Sequence, residues 1–195
     1  VNASLTLSRK EGGEPATLNV SLLAYEALRR INSPVAPTDA IQIDVAELSA
    51  ADSLMADSTI TDVWVEVDVL DLDGGKPLRT NPLRKTTAKK MDFLYSHMLP
   101  VPRDGPQLEG LRTAINSSEE QDSDVYFALK GRGPRVAEKE LAQGFINLRE
   151  ISQGGKDPVR TPIELVTSDR RQFGTLVITV IAGEILKRVK EMRSK

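Results

Sequence analysis

Apolar and polar residues alternate along ten stretches of this chain, and a period of two predicts strands that bury one face. Two stretches, residues 4–8 and 17–23, precede a segment rich in proline, and eight follow it. The eight are residues 40–48, 60–72, 78–87, 89–98, 125–129, 139–148, 161–166 and 174–181. In residues 60–72, valine occupies every second position from Val63 to Val69. Eight strands with little helix predict an all-β fold, an eight-stranded antiparallel β-sandwich.

Helical spacing is confined to short segments, which we expect to be small insertions and a C-terminal helix. The predicted helices are residues 24–31, 107–116 and 184–193. The predicted loops are a polar loop at 49–58, a solvated acidic loop at 117–124 and a basic turn at 130–135. Gly144 interrupts an alternating stretch and predicts a kink or bulge in its strand.

The beginning of the chain is repeated near its end. Residues 16–30 align without a gap on residues 174–188, and the offset of 158 also places Leu5 and Leu7 opposite Ile163 and Leu165. A period of this size is about the length of one domain. We therefore expect three parts: residues 1–33 as the C-terminal hairpin and helix of a preceding repeat, 34–38 as a linker, and 39–195 as a complete domain.

Composition narrows the classes of function. The chain has 26 basic and 28 acidic residues, a formal net charge of −2, and no cysteine. Balanced charge and 4% aromatic residues argue against a nucleic-acid partner, which would need a basic field or a stacking platform. Without cysteine there is no disulfide framework and no thiolate metal site.

Several segments resemble the C2 domains of the proteins that interact with the retinitis pigmentosa GTPase regulator. The resemblance begins with residues 63–72 (VWVEVDVLDL), the basic stretch 82–85 (PLRK) and residues 90–93 (KMDF). It ends with residues 143–148 (QGFINL) and 174–180 (GTLVITV), followed by the helical tail. It covers roughly residues 40–192 and rests on the core strands. No contact motif for the regulator matches residue by residue.

This resemblance implies a C2-like β-sandwich in a ciliary scaffold with tandem C2 domains, at the transition zone or axoneme. The expected function is that of a non-catalytic, calcium-independent protein-interaction module. Its expected partners are other ciliary proteins and neighbouring C2 repeats, without a small-molecule substrate. The alternative function is a peripheral membrane module that binds anionic lipids through a basic cluster.

The residues themselves offer no catalytic, cofactor or metal site. A calcium ion needs six to eight oxygen ligands. One candidate loop, residues 130–135, has three cations where aspartates would be needed. The other offers only Asp52 and Asp57, and Asp71 and Asp73 lie in a different turn. His97 is the only histidine, so neither a zinc cluster nor a histidine-activated nucleophile is expected. We therefore expect no enzyme activity and no cofactor.

Two groups of cations are the electrostatic candidates for a binding site. They are Arg84, Lys85, Lys89 and Lys90 in one group, and Lys130, Arg132 and Arg135 in the other. Two interpretations remain open: the charges protect a strand from edge pairing, or they bind an acidic protein segment or lipid headgroups. Trp64 alternates opposite to the valine face, so we expect it to pack in the core of the second sheet or to serve as a partly exposed anchor.

Overall fold

The computed structural model of the chain describes residues 2–7, 16–21 and 39–192. The helix predicted at residues 24–31 and the linker at 34–38 lie outside the described residues, as does the end of the helix predicted at 184–193. Contacts divide the chain into two units, Val1–Ala36 and Pro37–Lys195, and each is described by itself.

The smaller unit contains a two-stranded antiparallel hairpin. Strand β1 (Asn2–Leu7) pairs with β2 (Ala16–Ser21), and Leu5 lies opposite Leu18 in the register. The alternation in residues 4–8 and 17–23 predicts both strands, and each begins earlier in the sequence than the alternation indicates.

The larger unit contains nine strands and four short α-helices within its described residues. The strands are β3 (Ala40–Ala50), β4 (Asp62–Val69), β5 (Leu78–Arg79), β6 (Leu83–Arg84), β7 (Lys90–Pro100), β8 (Asp124–Gly133), β9 (Val136–Asn147), β10 (Thr161–Val166) and β11 (Gln172–Ile181). The helices are α1 (Asp52–Ala56), α2 (Pro106–Asn116), α3 (Leu148–Gly154) and α4 (Gly183–Glu191). A 3-10 helix spans Glu120–Ser123.

The strands form one antiparallel sheet that folds over on itself as a C2-like β-sandwich. Their order is β5-β4-β8-β9-β10-β11-β3-β7, with β6 also pairing with β4. The pairing between β9 and β10 consists of one residue pair, Gln143 with Val166, and this narrow joint separates the two layers. The all-β sandwich expected from the sequence is confirmed. The strand count differs by one because the basic stretch at 78–87 forms two short strands.

The core lies between the layers. Val63, Val65 and Val67 of β4 are fully buried, as their alternation predicts, and share one continuous cluster with apolar side chains of β3 and β11. Helices α2 and α4 add buried apolar residues to that cluster: Leu108, Leu111, Ile115, Ile185, Leu186 and Val189. Both helices therefore close the core with one apolar face while the other stays in water.

All three predicted loops contain regular structure, and two of them, at 49–58 and 130–135, contain an α-helix or part of a strand. The polar loop at 49–58 contains α1, which buries Leu54 completely in the core. The basic turn predicted at 130–135 is wrong for its first part, because residues 130–133 continue β8. Glycine and charged residues are poor strand formers, but pairing with β4 on one side and β9 on the other holds this segment extended.

The acidic loop predicted at 117–124 is not solvated at its end. Asp124 is only 7% exposed and Ser123 is fully buried. The Asn147 side chain donates to Asp124 Oδ1 at 2.7 Å, and Ser123 Oγ donates to Asn147 Oδ1 at 3.1 Å. The Asn147 side-chain amide therefore provides hydrogen-bond partners for Ser123 and Asp124, which allows both polar side chains to be buried.

Gly144 marks a close approach between strands rather than a kink. It pairs in register with Phe127, and the two register shifts of this ladder lie between Leu129 and Lys130 and between Gly131 and Gly133 instead. A Cβ atom on Gly144 would lie 2.5 Å from the backbone oxygen of Glu164 in β10. Glycine is therefore needed where β9 passes close to β10, beside the narrow joint of the sheet.

The hairpin of the smaller unit has the same register as the β10–β11 hairpin of the larger one. Leu5 pairs with Leu18 in the first, and Ile163 pairs with Leu176 in the second. Ile163 lies 158 positions after Leu5, and Leu176 lies 158 positions after Leu18, which is the offset between the repeated sequences. The similarity of the two segments therefore extends from sequence to strand pairing.

Candidate functional site

The outer face of β4, β8 and β9 points away from the core and carries two aromatic sites. Its residues alternate with the buried valines and phenylalanine of the same strands. One half of this face centres on Trp64 and the other on Phe145. These two halves differ in what covers the aromatic ring.

Trp64 is fully buried although it lies outside the core cluster. The guanidinium carbon of Arg79 lies 4.2 Å from the ring centroid and that of Arg132 lies 5.8 Å away. The indole Nε1 donates to Glu66 Oε1 at 3.3 Å. The expectation of an exposed anchor is therefore wrong. The expectation that Trp64 is buried is confirmed, although charged side chains of its own domain cover the ring.

Ion pairs hold this cover in place. Arg79 lies 3.2 Å from Glu138 and 3.7 Å from Glu66, and Lys130 lies 3.0 Å from Glu140 and 3.7 Å from Glu66. Exposed pairs such as these contribute little one by one, but here they share Glu66 and fix the arginine over the ring. No pattern in the sequence pointed to Arg79, which lies on a different strand from Trp64.

The first predicted group of cations does not converge on one surface. Lys85 Nζ donates to the backbone oxygens of Leu54, at 2.9 Å, and Asp57, so it ties α1 and the loop after it to the strand edge. Lys89 pairs with Asp52 at 2.6 Å, and Lys90 pairs with Glu47 at 2.9 Å. These lysines are close in the sequence, but the fold gives each a partner within the domain.

Three arginines of the two predicted groups meet at one end of the sheet. Arg84 and Arg132 lie on either side of Asp62 in the strand register, and Arg135 follows in the turn after β8. Arg132 Nε lies 3.9 Å from Asp62. Arg84 and Arg135 are exposed, and within residues 39–192 neither makes an ion pair. This arginine end is the part of the predicted basic site that remains open to a partner.

Phe145 forms the centre of the other half of the outer face. It is 57% exposed, and its ring centroid lies 6.1 Å from that of Tyr126. Burial, and after it the carboxylates of Asp124, Asp122 and Asp68, hold the pKa of Tyr126 above its usual range. Sequence reasoning missed this site, although an apolar residue at an outward position of an alternating strand is a usable signal.

Two of the four candidate calcium-ligand aspartates, Asp57 and Asp52, are engaged by local contacts. Asp57 Oδ1 accepts hydrogen bonds from Thr59 Oγ1 at 2.6 Å and Thr59 N at 2.9 Å, and these bonds lower the pKa of Asp57. Asp52 pairs with Lys89. In the part of the chain that the structure describes, no three His, Cys, Asp or Glu residues cluster as metal ligands would. His97 is half-buried on β7 and stacks on Tyr95, with ring centroids 6.4 Å apart.

No helix among the described residues is both long enough and apolar enough to cross a membrane. The helices α2 and α4 of the larger unit instead pack one apolar face each against the core.

Comparisons with known proteins agree with this fold. No curated protein sequence matches the chain. A solved structure of CC2D1B, reported to coordinate ESCRT-III activity during mitotic reformation of the nuclear envelope, superposes with a TM-score of 0.60 at 16% identity. The match covers 83% of this chain and 62% of that one, and at this identity the likeness concerns the fold.

Two further solved structures are C2 domains. One comes from a putative elicitor-responsive gene, with a TM-score of 0.48, 8% identity and coverage of 77% of this chain and 93% of that one. The other is a C2 domain of plant Extended Synaptotagmin 1, with a TM-score of 0.47, 10% identity and coverage of 75% and 95%. The family model described as retinitis pigmentosa G-protein regulator interacting C-terminal matches residues 37–192. Because that match covers most of the chain, the protein belongs to this family of C2-like domains.

Proposed function

We propose that this C2 domain is a non-catalytic, calcium-independent protein-interaction module of a tandem-C2 ciliary scaffold at the transition zone or axoneme. The observation that carries the proposal is the match of residues 37–192 to a family described by its interaction with a regulator protein. The partners are other ciliary proteins and neighbouring C2 repeats. Calcium independence is supported by Asp57 and Asp52, whose carboxylates are engaged by Thr59 and Lys89.

The tandem arrangement is supported by the two hairpins. Residues 1–33 repeat the sequence of the end of the larger unit, and the β1–β2 register repeats that of β10–β11 at the same offset. Residues 1–33 are then the end of a preceding C2-like repeat, 34–38 the linker and 39–195 a complete repeat.

A binding assay with purified retinitis pigmentosa GTPase regulator tests this function. The chain should bind the regulator equally well in millimolar calcium and in chelator, and calcium alone should leave the melting temperature unchanged, because a ligand stabilises only the state that binds it. An unfolded variant serves as the negative control. Absence of binding, or binding that requires calcium, contradicts the proposal.

The alternative function, a peripheral membrane module for anionic lipids, is favoured by the arginine end of the sheet. Arg84 and Arg135 are exposed there beside Arg132 without an acidic partner in the described residues. Lys85 is excluded from the test, because its bonds to backbone oxygens of Leu54 and Asp57 make it a structural residue.

Liposome flotation with and without phosphoinositides distinguishes the two functions. If the alternative holds, the double variant Arg84→Glu/Arg135→Glu should float with anionic liposomes far less than the native chain, and salt should weaken the native binding. Lys76→Glu/Lys156→Glu changes the net charge equally at two exposed positions and is the matched control. Equal flotation of native and both variant chains argues against lipid recognition by this end.

A further inference from the structure

The two aromatic sites of the outer face are built from the same kinds of residue but are covered differently. Over Trp64, Arg79 and Arg132 lie on the ring and acidic residues hold them there. Phe145 has acidic residues around it, yet it remains 57% exposed and has no arginine on its ring among the described contacts.

The carboxylates near Phe145 are not neutralised within the domain. Asp68, Tyr126 and Phe145 lie in one row across β4, β8 and β9. A groove beside the ring is lined by acidic and amide side chains together with Phe145 itself: Glu119, Glu120, Gln121, Asp124, Asn147 and Glu150. Within the described residues, none of Asp68, Glu119, Glu120 and Glu150 makes an ion pair, whereas the acidic residues around Trp64 do.

The neighbouring arginine, Arg149, is directed elsewhere. Arg149 Nη2 donates to the backbone oxygens of Ser117, at 2.8 Å, and Glu119, at 3.2 Å, at the end of α2. Lys156 lines a second groove beside Phe145, together with Pro158 and Ile151. The ring therefore borders both an acidic groove and a partly apolar groove, and both are open to solvent.

We propose that this acidic aromatic surface, formed by Phe145, Tyr126, Asp68, Glu119, Glu120 and Glu150, docks a basic segment of a partner protein with an arginine on the Phe145 ring. Charge complementarity selects the basic segment, because several unpaired carboxylates surround one exposed ring. The arginine follows from the Trp64 site, where a planar guanidinium stacks on a ring while acidic side chains hold it. This inference rests on the proposed role as a protein-interaction module and uses a surface separate from the arginine end.

A labelled peptide in which arginine alternates with alanine serves as the probe, titrated into the intact chain by fluorescence anisotropy. Phe145→Ala should weaken its binding about tenfold, as expected for an aromatic anchor. Glu119→Gln/Glu120→Gln should weaken it and flatten its salt dependence. A lysine version of the peptide should bind about threefold more weakly, because lysine has no plane to stack on the ring.

The matched control is Leu94→Ala, which removes a large apolar side chain that is 86% exposed on β7. That variant should bind the peptide as the native chain does. Binding that is equal in Phe145→Ala and Leu94→Ala would overturn the surface, since only general attraction between charges would remain. If peptide binding depends on Phe145 but the chain does not bind the regulator, the docking surface is supported and the regulator is not its partner.

Discussion

Val67 is fully buried in the middle of β4, within the apolar cluster, so a charge introduced there would have no polar partner. Val67→Asp should unfold the larger unit, because burying an unpaired carboxylate costs about 3 kcal/mol or more. Val159→Asp introduces the same charge at an exposed valine and should leave the melting curve nearly unchanged. Circular dichroism melting of both variants measures the difference, and equal effects would mean that the burial of β4 is wrong.

Asp124 is the residue for which sequence and structure lead to opposite expectations about stability. As a member of a solvated loop, it would be replaced by alanine at little cost. It is instead buried and accepts a hydrogen bond from Asn147 Nδ2 at 2.7 Å. Asp124→Ala should therefore destabilise the domain by about 1–3 kcal/mol, because it removes the acceptor of a buried amide donor.

Chemical denaturation measures this cost, with Asp104→Ala as the control at an exposed aspartate. If the two variants have the same free energy of unfolding, the hydrogen bond to Asn147 contributes nothing.

Alternation predicts the buried valines because every second residue of a strand faces the core. It does not predict the burial of Asp124 or the charged cover of Trp64, because both depend on residues distant in the sequence. These are Asn147 for Asp124 and Arg79 for Trp64.

At the scale of elements, the passage of β9 close to β10 depends on Gly144. Gly144→Ala should destabilise the domain by about 1–3 kcal/mol, since its Cβ would lie 2.5 Å from the Glu164 oxygen and a strand would have to move. Gly154→Ala is the matched control in α3, where a Cβ meets no atom within 4 Å. We expect it to be neutral or stabilising by up to about 1 kcal/mol. Thermal melting that ranks the variants in the opposite order would contradict the close approach.

The sequence predicted the strands and the helix α2 well because each has its own period. It predicted less well where tertiary contacts decide the conformation. Lys130 and Arg132 look like a basic turn, but pairing on both sides keeps them in β8. Leu54 lies in a short segment without an alternating pattern, and its burial accompanies a helix where a loop was expected.

At the scale of the molecule, we expect the larger unit to fold without the first residues. Removal of residues 1–33 should leave a cooperative transition, because the complete sheet lies in Pro37–Lys195. The melting temperature should change by less than about 4 °C, which corresponds to roughly 1 kcal/mol in a domain of this size. Calorimetry of the shortened and full chains is the measurement. A broad, non-cooperative transition after removal would show that the division into repeats is wrong.

The residue types of the candidate site can be predicted from the sequence, but their contacts cannot. The seven cations are visible in the sequence, but the ion pairs that occupy most of them are set by the fold. Phe145 and its acidic neighbours come from β4, β8, β9, α3 and the segment around the 3-10 helix, and no local pattern brings these segments together. Surfaces assembled from so many elements become visible once the topology is known.

The cover on Trp64 has an optical consequence. The chain contains one tryptophan, so its indole emission arises from a single place, beneath two guanidinium groups and one carboxylate on the outside of the sheet. Added salt screens exposed charges over about 8–10 Å, so we expect it to loosen this cover while the apolar interior stays intact. We therefore expect the wavelength of the tryptophan emission maximum to shift first when Arg79 and Arg132 leave the ring, and to shift again when the sandwich unfolds. Fluorescence then distinguishes loss of the arginine cover from unfolding.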